Sequence, residues 1–256
     1  MSDAGEGGDG SGTHRRRDLA RMRRYWDKKA RENAMYYIQS ELDYAHVDRN
    51  EFWASGDDSL ARTLSPFDLS VQPTDEVVDI GCGIGRTTRA LATKARHVIG
   101  VDVSLEMVER GRKELADLGN VELLLGNGRD LSGIGDASVD VVYSFIVFQH
   151  IPDPAITCEY IQEIGRVLRP GGWTVFQVSE LPEIHHREMW RGSESVRTRA
   201  MRLLGRAPRG TLAPEWLGSA LSHDQLVGAL DDAGLVLAAS VGEGSQFCLV
   251  HARRPL

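Results

Sequence analysis

Cysteine is scarce in this chain. Its three cysteines, Cys82, Cys158 and Cys248, lie far apart in 256 residues and match no metal-ligand spacing. That argues against a disulfide framework and a zinc module, and reads as small reduced core side chains of an intracellular protein. Long apolar runs are missing too. Nothing approaches the ~18 consecutive apolar residues of a membrane span. The opening MSDAGEGGDGSGTHRRR has no apolar core of a secretory leader. A soluble, cytoplasmic protein with no membrane partner is expected. Nor is there a surplus of positive charge: the formal charge of −7 makes nucleic acid an unlikely partner. No histidines or carboxylates cluster at ligand spacing, so no metal is expected.

What is present is a globular composition, 41% apolar and 26% charged, sufficient to bury a core. Residues 1–17 have almost nothing to bury and read as a disordered tail. From Asp18 the text RMRRYWDKKARENAMYYIQSEL lacks Pro and Gly. Met22, Tyr25, Trp26, Ala30, Ala34, Tyr37 and Ile38 recur there at three- and four-residue spacing, so a helix is predicted. With a second amphipathic stretch over 51–64 it makes a helical arm, 18–66. After Pro73, β-rich runs (EVVDI, HVIGVDV, VELLL, VDVVYSF, WTVFQV) alternate with helical segments at 86–94, 104–118 and 154–168. Asp153 caps the last of these and Pro154 occupies its first turn, where a missing N–H costs nothing. Arg169-Pro170-Gly171-Gly172 stops it. Such alternation predicts an α/β fold with a doubly wound parallel sheet, here a core over 67–179. In the closing unit, 222–256, Ser222 and Gln225 form a capping box and Gly234 ends the helix. Strands at 236–241 and 246–252 come next, forced antiparallel by the short GEGS link. The connection 180–221 is too long for a plain loop and reads as a lid-like insertion.

The stretch VVDIGCGIGR ends the first strand and opens a helix, where open α/β sheets bind ligands. Gly81, Gly83 and Gly85 allow a sharp turn and a close approach to a ligand without a Cβ in the way. A dinucleotide loop would place its third glycine three residues after the second, against a pyrophosphate on the helix N-terminus. Here Gly85 follows Gly83 by two, position 86 is an arginine, and Asp79 would repel a pyrophosphate while attracting an ammonium or sulfonium. Asp102 ends the second strand about 20 residues on, as an acid that holds ribose hydroxyls does. An adenosine with a cationic amino-acid tail is S-adenosyl-L-methionine.

Together with VIGVDVS, LLLGNGRDLSGI, SVDVVYSFIVFQHIPDP and IGRVLRPGGWTVFQV, this stretch resembles the class I S-adenosylmethionine-dependent methyltransferases of small-molecule type. The likeness runs from about Asp75 to Val178. It implies a Rossmann-like, mostly parallel seven-stranded sheet whose last strand is antiparallel. It also implies that Asp79 and the loop Gly81, Cys82, Gly83 and Gly85 hold the methionine end, and that Asp102 holds the ribose. Val103 and Met107 would border the adenine, with Asn127, Gly128 and Arg129 around it. The family usually has an aspartate where this chain has Asn127, whose carbonyl offers the same acceptor. Ser144 and Phe145 would border the methyl group.

The acceptor is expected to be a small molecule, a secondary metabolite or saccharide methylated on oxygen. A hydroxyl acceptor calls for a general base, and the candidates are His150, His185 and His186. Substrate contacts are expected from Arg199 and Arg202, at helical spacing in the arginine-rich insertion, and from Trp26 and Tyr37 of the arm, which with Tyr36 and Phe52 would cover the cofactor. Two alternatives stand: a methyltransferase of RNA or protein using the basic arm and insertion, and a non-catalytic cofactor-binding regulator. Homo-oligomerisation is left open.

Overall fold

The computed structural model describes residues 10–186, 196–204 and 207–256, with side chains undescribed at 10–16 and 196–199. Its sheet has seven strands: β1 (Glu76–Ile80), β2 (His97–Asp102), β3 (Val121–Leu125), β4 (Val139–Ser144), β5 (Leu168–Val178), β6 (Val236–Val241) and β7 (Cys248–Arg253). Their order is β3-β2-β1-β4-β5-β7-β6. The first five are parallel, and β7 runs antiparallel between β5 and β6. Fold class and strand reversal are as expected from the sequence.

Parallel strands covered on both faces read as continuous apolar runs, and β1 shows why. Val77 and Val78 are both fully buried, on opposite faces of the sheet. Val78 belongs to a core layer with Val142, Phe176, Ile161 and Ile164. Val77 packs with Val98, Val141, Leu60 and Leu91 on the other side. Helices α3 (Arg86–Ala92), α4 (Leu105–Glu114) and α5 (Pro154–Val167) make the crossovers. Asp153 caps α5 by accepting from the Ala155 amide, and Ser104 caps α4 by accepting from Met107. The closing helix α8 (His223–Asp232) carries the full capping box of Ser222 and Gln225. Between β5 and α8 stand two short helices of the insertion, α6 (Val196–Leu203) and α7 (Pro214–Leu217).

Three features depart from the sequence reading. The arm's first helix, α1, spans Gly10–Ile38 and starts eight residues before Asp18. A helix anchored by tertiary packing extends readily through good formers such as Arg15–Arg17, because propagation costs far less than nucleation; residues 1–9 lie outside the described residues. α1 is also broken at Asn33 (φ −166°, ψ 85°). There the side chain accepts from the Tyr36 amide and donates to the Tyr44 carbonyl, capping a second helical segment. Finally, β5 already pairs at Leu168. Val139 and Val141 of β4 face Leu168 and Trp173, so the residues Arg169-Pro170-Gly171-Gly172 bulge out of the ladder instead of preceding the strand. The arm's second helix, α2 (Arg49–Leu64), begins on an Asp48 cap.

Candidate active site

The chain leaves β1 for one side of the sheet and returns to β4 on the other, which opens a crevice at the carboxyl ends of these strands. Asp79 and Tyr143 are cross-strand neighbours at that edge. Both line a cavity together with Gly81, Cys82, Gly83, Arg86 and Thr87. Gly81, Gly83 and Gly85 have φ of 72°, 56° and 96°, a region costly for other residues. A Cβ on Gly81 would lie 2.3 Å from Val147, and one on Gly83 2.6 Å from Ile38. The glycines are thus required by backbone conformation and by the protein's own packing, a constraint not visible in their spacing.

Two carboxylates face this cavity, and neither is held in a salt bridge by a side chain among the described residues. Asp79 is buried and accepts from the Thr88 hydroxyl at 2.7 Å. Burial raises its pKa to about 7, against the pull of Thr88 and of Arg86 nearby. Asp102 accepts from the Gly83 amide at 2.9 Å and from the Ser104 amide at 2.8 Å, and burial still holds it up at about 6. Val103, Met107 and Gly128 continue the wall, and the arm closes it with Met22, Trp26, Tyr37 and Ile38. Asp27 secures the arm there by accepting from the Ser104 hydroxyl at 2.7 Å.

A second cavity adjoins the first and shares Tyr37, Ile38, Phe145, Ile146 and His150 with it. Its remaining wall is mixed, with Trp216, Leu217, Phe247 and Leu249 beside polar residues that include Arg62, Arg202 and Glu41. His150 therefore stands at the junction. Its ring packs against Trp26 (5.6 Å) and Trp216 (5.2 Å), and Nδ1 lies 2.6 Å from the Trp216 carbonyl. Burial lowers its pKa to about 4, so it is neutral at physiological pH.

Residues 78–176, which supply most of the first cavity, match the family model for a methyltransferase domain. The chain is 41% identical over 104 residues to a probable S-adenosylmethionine-dependent methyltransferase of Mycolicibacterium smegmatis, covering 41% of this chain and 37% of that protein. It is 28% identical over 157 residues to a demethylmenaquinone methyltransferase of Clavibacter sepedonicus, covering 61% of each. The chain thus spans less than two thirds of these relatives. Among solved structures, the geranyl diphosphate C-methyltransferase of Streptomyces coelicolor shares the fold, with a TM-score of 0.54 at 18% identity, over 77% of this chain and 78% of that one. This core belongs to the class I S-adenosylmethionine-dependent methyltransferases. Its cofactor is S-adenosyl-L-methionine.

The methyltransferase core offers what that cofactor needs. It has one buried and one half-buried carboxylate, neither in a salt bridge among the described residues, a strongly turned glycine loop, and an apolar wall in Val103, Met107 and Met22. Other expected residues stand elsewhere. Gly85 caps α3 and is absent from the cavity wall. The Asn127 carbonyl accepts from the amides of Arg129 and Asp130, and its amino group donates to Asp130 at 2.6 Å, so it serves its own turn. Arg129 pairs with Glu159 at 3.1 Å. The Ser144 hydroxyl donates to the Ile80 carbonyl at 3.1 Å, holding β4 to β1 beneath the cavity. His185 lies between the Leu217 carbonyl and the Ser179 hydroxyl, His186 is exposed, and neither lines either of these two cavities. Phe52 is buried beside Ile84 and Met107, and Tyr36 packs on Tyr44 at 4.9 Å. Arg202 lines the second cavity and donates through Nε to the Pro208 carbonyl, whereas the Arg199 side chain lies outside the described residues.

Several cavity residues carry no distinguishing signal in the sequence. Tyr143, Tyr160 and Met22 read there as ordinary core positions. Arg86 is informative only as a departure from the dinucleotide pattern. It is buried, donates to the Ser55 carbonyl and the Ser59 hydroxyl of α2 at 2.7 Å each, and leaves Nε without a partner among the described residues. A long-range partner on the arm cannot be read from a one-dimensional motif.

Proposed function

We propose that the chain transfers the methyl group of S-adenosyl-L-methionine to a hydroxyl of a small-molecule acceptor, a secondary metabolite or saccharide, that enters through the second cavity. The observation carrying this reading is the junction of the two cavities at Phe145, Ile146 and His150. When bound, the cofactor would supply an electrophilic methyl carbon whose leaving group is the neutral thioether sulfur. Asp79 would neutralise the ammonium of the methionine end, with the loop from Gly81 to Gly83 alongside. Asp102 would accept from the ribose hydroxyls, while Val103, Met107 and Gly128 would border the adenine. The remaining work is positioning, which Tyr37, Ile38, Phe145 and Trp26 do by walling off water and fixing the angle of approach. His150, neutral and at the junction, accepts the acceptor's proton through Nε2. A small-molecule acceptor is supported by relatives named for demethylmenaquinone and for ubiquinone biosynthesis.

The test is a panel of phenolic, aliphatic and sugar hydroxyl acceptors with methyl-labelled S-adenosylmethionine, followed by mass analysis, with S-adenosylhomocysteine titrated calorimetrically in parallel. A labelled product carrying the methyl on oxygen is expected. Tight S-adenosylhomocysteine binding with no product from any acceptor would favour a non-catalytic regulator.

A further inference from the structure

His150 belongs to a hydrogen-bond chain whose direction is set at both ends by backbone carbonyls, which can only accept. At one end, Nδ1 of His150 lies 2.6 Å from the Trp216 carbonyl, so Nδ1 carries a proton. At the other, the side-chain amino group of fully buried Gln177 donates to the carbonyls of Val178 (2.9 Å) and Gln246 (2.5 Å). That same amino group, with two protons for three acceptors, lies 3.1 Å from Gln149 as a shared contact, which favours the Gln149 oxygen over its amino group on that side. The Gln149 amino group is then turned to His150, 3.3 Å from Nε2. The reversed amide would set two donors against each other at Gln177. The arrangement leaves the Gln177 oxygen buried without a partner among the described residues, a cost smaller than that of the reversed Gln177 amide, which would set an oxygen against two backbone carbonyls.

We infer that Gln149 and Gln177 are positioning residues that hold His150 in its Nδ1-protonated, neutral tautomer, with the Nε2 lone pair presented at the junction of the cavities. This deepens the proposed reading and rests on it: the acceptor group there must itself be a hydrogen-bond donor. An O–H satisfies this, whereas a bare carbon nucleophile or a thioether does not. The Gln149 contact is long and weak, so a substrate hydroxyl can replace it without a large loss. When the oxygen takes the methyl group, its proton passes to Nε2 and the electron pair of the broken C–S bond stays on sulfur. Atoms and charge balance with no further reactant. The imidazolium formed is disfavoured by burial among Trp26 and Trp216, and by His185, the titratable group that acts on it. It returns its proton to water on product release.

The experiment needs no known acceptor. The full chain, labelled with a nitrogen isotope and saturated with S-adenosylhomocysteine, is followed by NMR of the imidazole nitrogens across a pH titration. Wild-type His150 is expected to show a protonated Nδ1 and a bare Nε2, and no titration down to about pH 5. In Gln149→Met, which removes the donor facing Nε2, the titration midpoint should rise by about half a unit or more. In Gln149→Glu it should rise by more than one unit. Both variants should melt near the wild-type temperature. A protonated Nε2 in the wild type, or equal midpoints in all three proteins, would overturn the inference. Failure of the chain to bind S-adenosylhomocysteine would instead strike the cofactor reading beneath it, so the two failures are distinguishable.

Discussion

At the scale of single residues, Asp79 sets a conflict between stability and binding. Its ordinary value is 3.8 and the folded, ligand-free value is about 7. Between those values the unfolded chain releases a proton that the folded chain keeps. The site therefore costs nothing below pH 4, costs progressively more as pH rises, and its full penalty is present above pH 7. A cationic ligand reverses the balance, because it pairs with the ionised carboxylate. Asp79→Asn keeps the Thr88 hydrogen bond and removes the charge. It should stabilise the ligand-free protein at pH 8 by up to about 4 kcal/mol, the equivalent of the shift at 1.36 kcal/mol per pH unit. The same variant should lose S-adenosylhomocysteine affinity at least about tenfold. In the wild type, affinity should fall roughly tenfold per unit as pH drops below 7. Melting and calorimetry from pH 6 to 8.5 check all three. A variant that is destabilised at pH 8, or that binds as well as the wild type, contradicts this role for Asp79. The place of Asp79 on the cavity wall was legible in the sequence, from a carboxylate near the end of the first strand beside a glycine loop. Its raised pKa was not, since that depends on burial in the folded chain.

At the scale of elements, the arm's second segment matters most. Asn33 breaks α1 and caps the helical segment after it, so that Tyr37 and Ile38 reach both cavities. Replacing it by alanine removes the cap and the bond to the Tyr44 carbonyl. The expected cost is about 1–2 kcal/mol in urea unfolding, with at least a fivefold loss in S-adenosylhomocysteine affinity as Ile38 withdraws from the Gly83 loop. A variant that loses stability but binds normally would show that the segment is mere packing. The strands, α5 and α8 were readable from local chemistry, through alternating apolar runs, the Asp153 cap and the Ser222 capping box. The break at Asn33 was not, because an asparagine within a run of helix formers is decided by a distant carbonyl. Nor was the early pairing at Leu168, since a helix stop says nothing about where the next ladder bond forms. The insertion was recognisable by its length alone. Its arginines were indistinguishable in the sequence, and Arg187, Arg191 and Arg206 lie outside the described residues.

At the scale of the whole molecule, the arm and the insertion meet over the two cavities. Arg21 pairs with buried Glu215 at 2.5 Å, and Tyr25 donates to the Gly210 carbonyl at 3.0 Å. Arg23 and Arg31 are likewise engaged, with the Gly126 carbonyl and with Glu106. Much of the arm's positive charge is thus used within the protein, which weakens the case for a nucleic-acid face. Lys29 is the centre of this closure. Its side chain is 2% exposed, its ammonium lies 2.8 Å from Glu32 and 3.1 Å from the Tyr37 hydroxyl, and it also donates to the Arg209 carbonyl. Burial lowers its pKa while Glu32 sustains the charge. Lys29→Met keeps the apolar stem and removes the donors. Glu32 would retain the hydroxyls of Tyr37 and Tyr44, so the cost should be roughly 2–3 kcal/mol, below that of fully stranding a buried charge. That corresponds to a fall in melting temperature of about 5–10 °C. The insertion supplies Thr211, Leu212, Trp216 and Leu217 to the second cavity and none of them to the first. Loosening it should therefore raise acceptor KM at least about fivefold while S-adenosylhomocysteine affinity stays within about twofold. If cofactor affinity falls by as much as acceptor KM rises, the closure acts on both cavities together and the acceptor does not enter by a separately governed route.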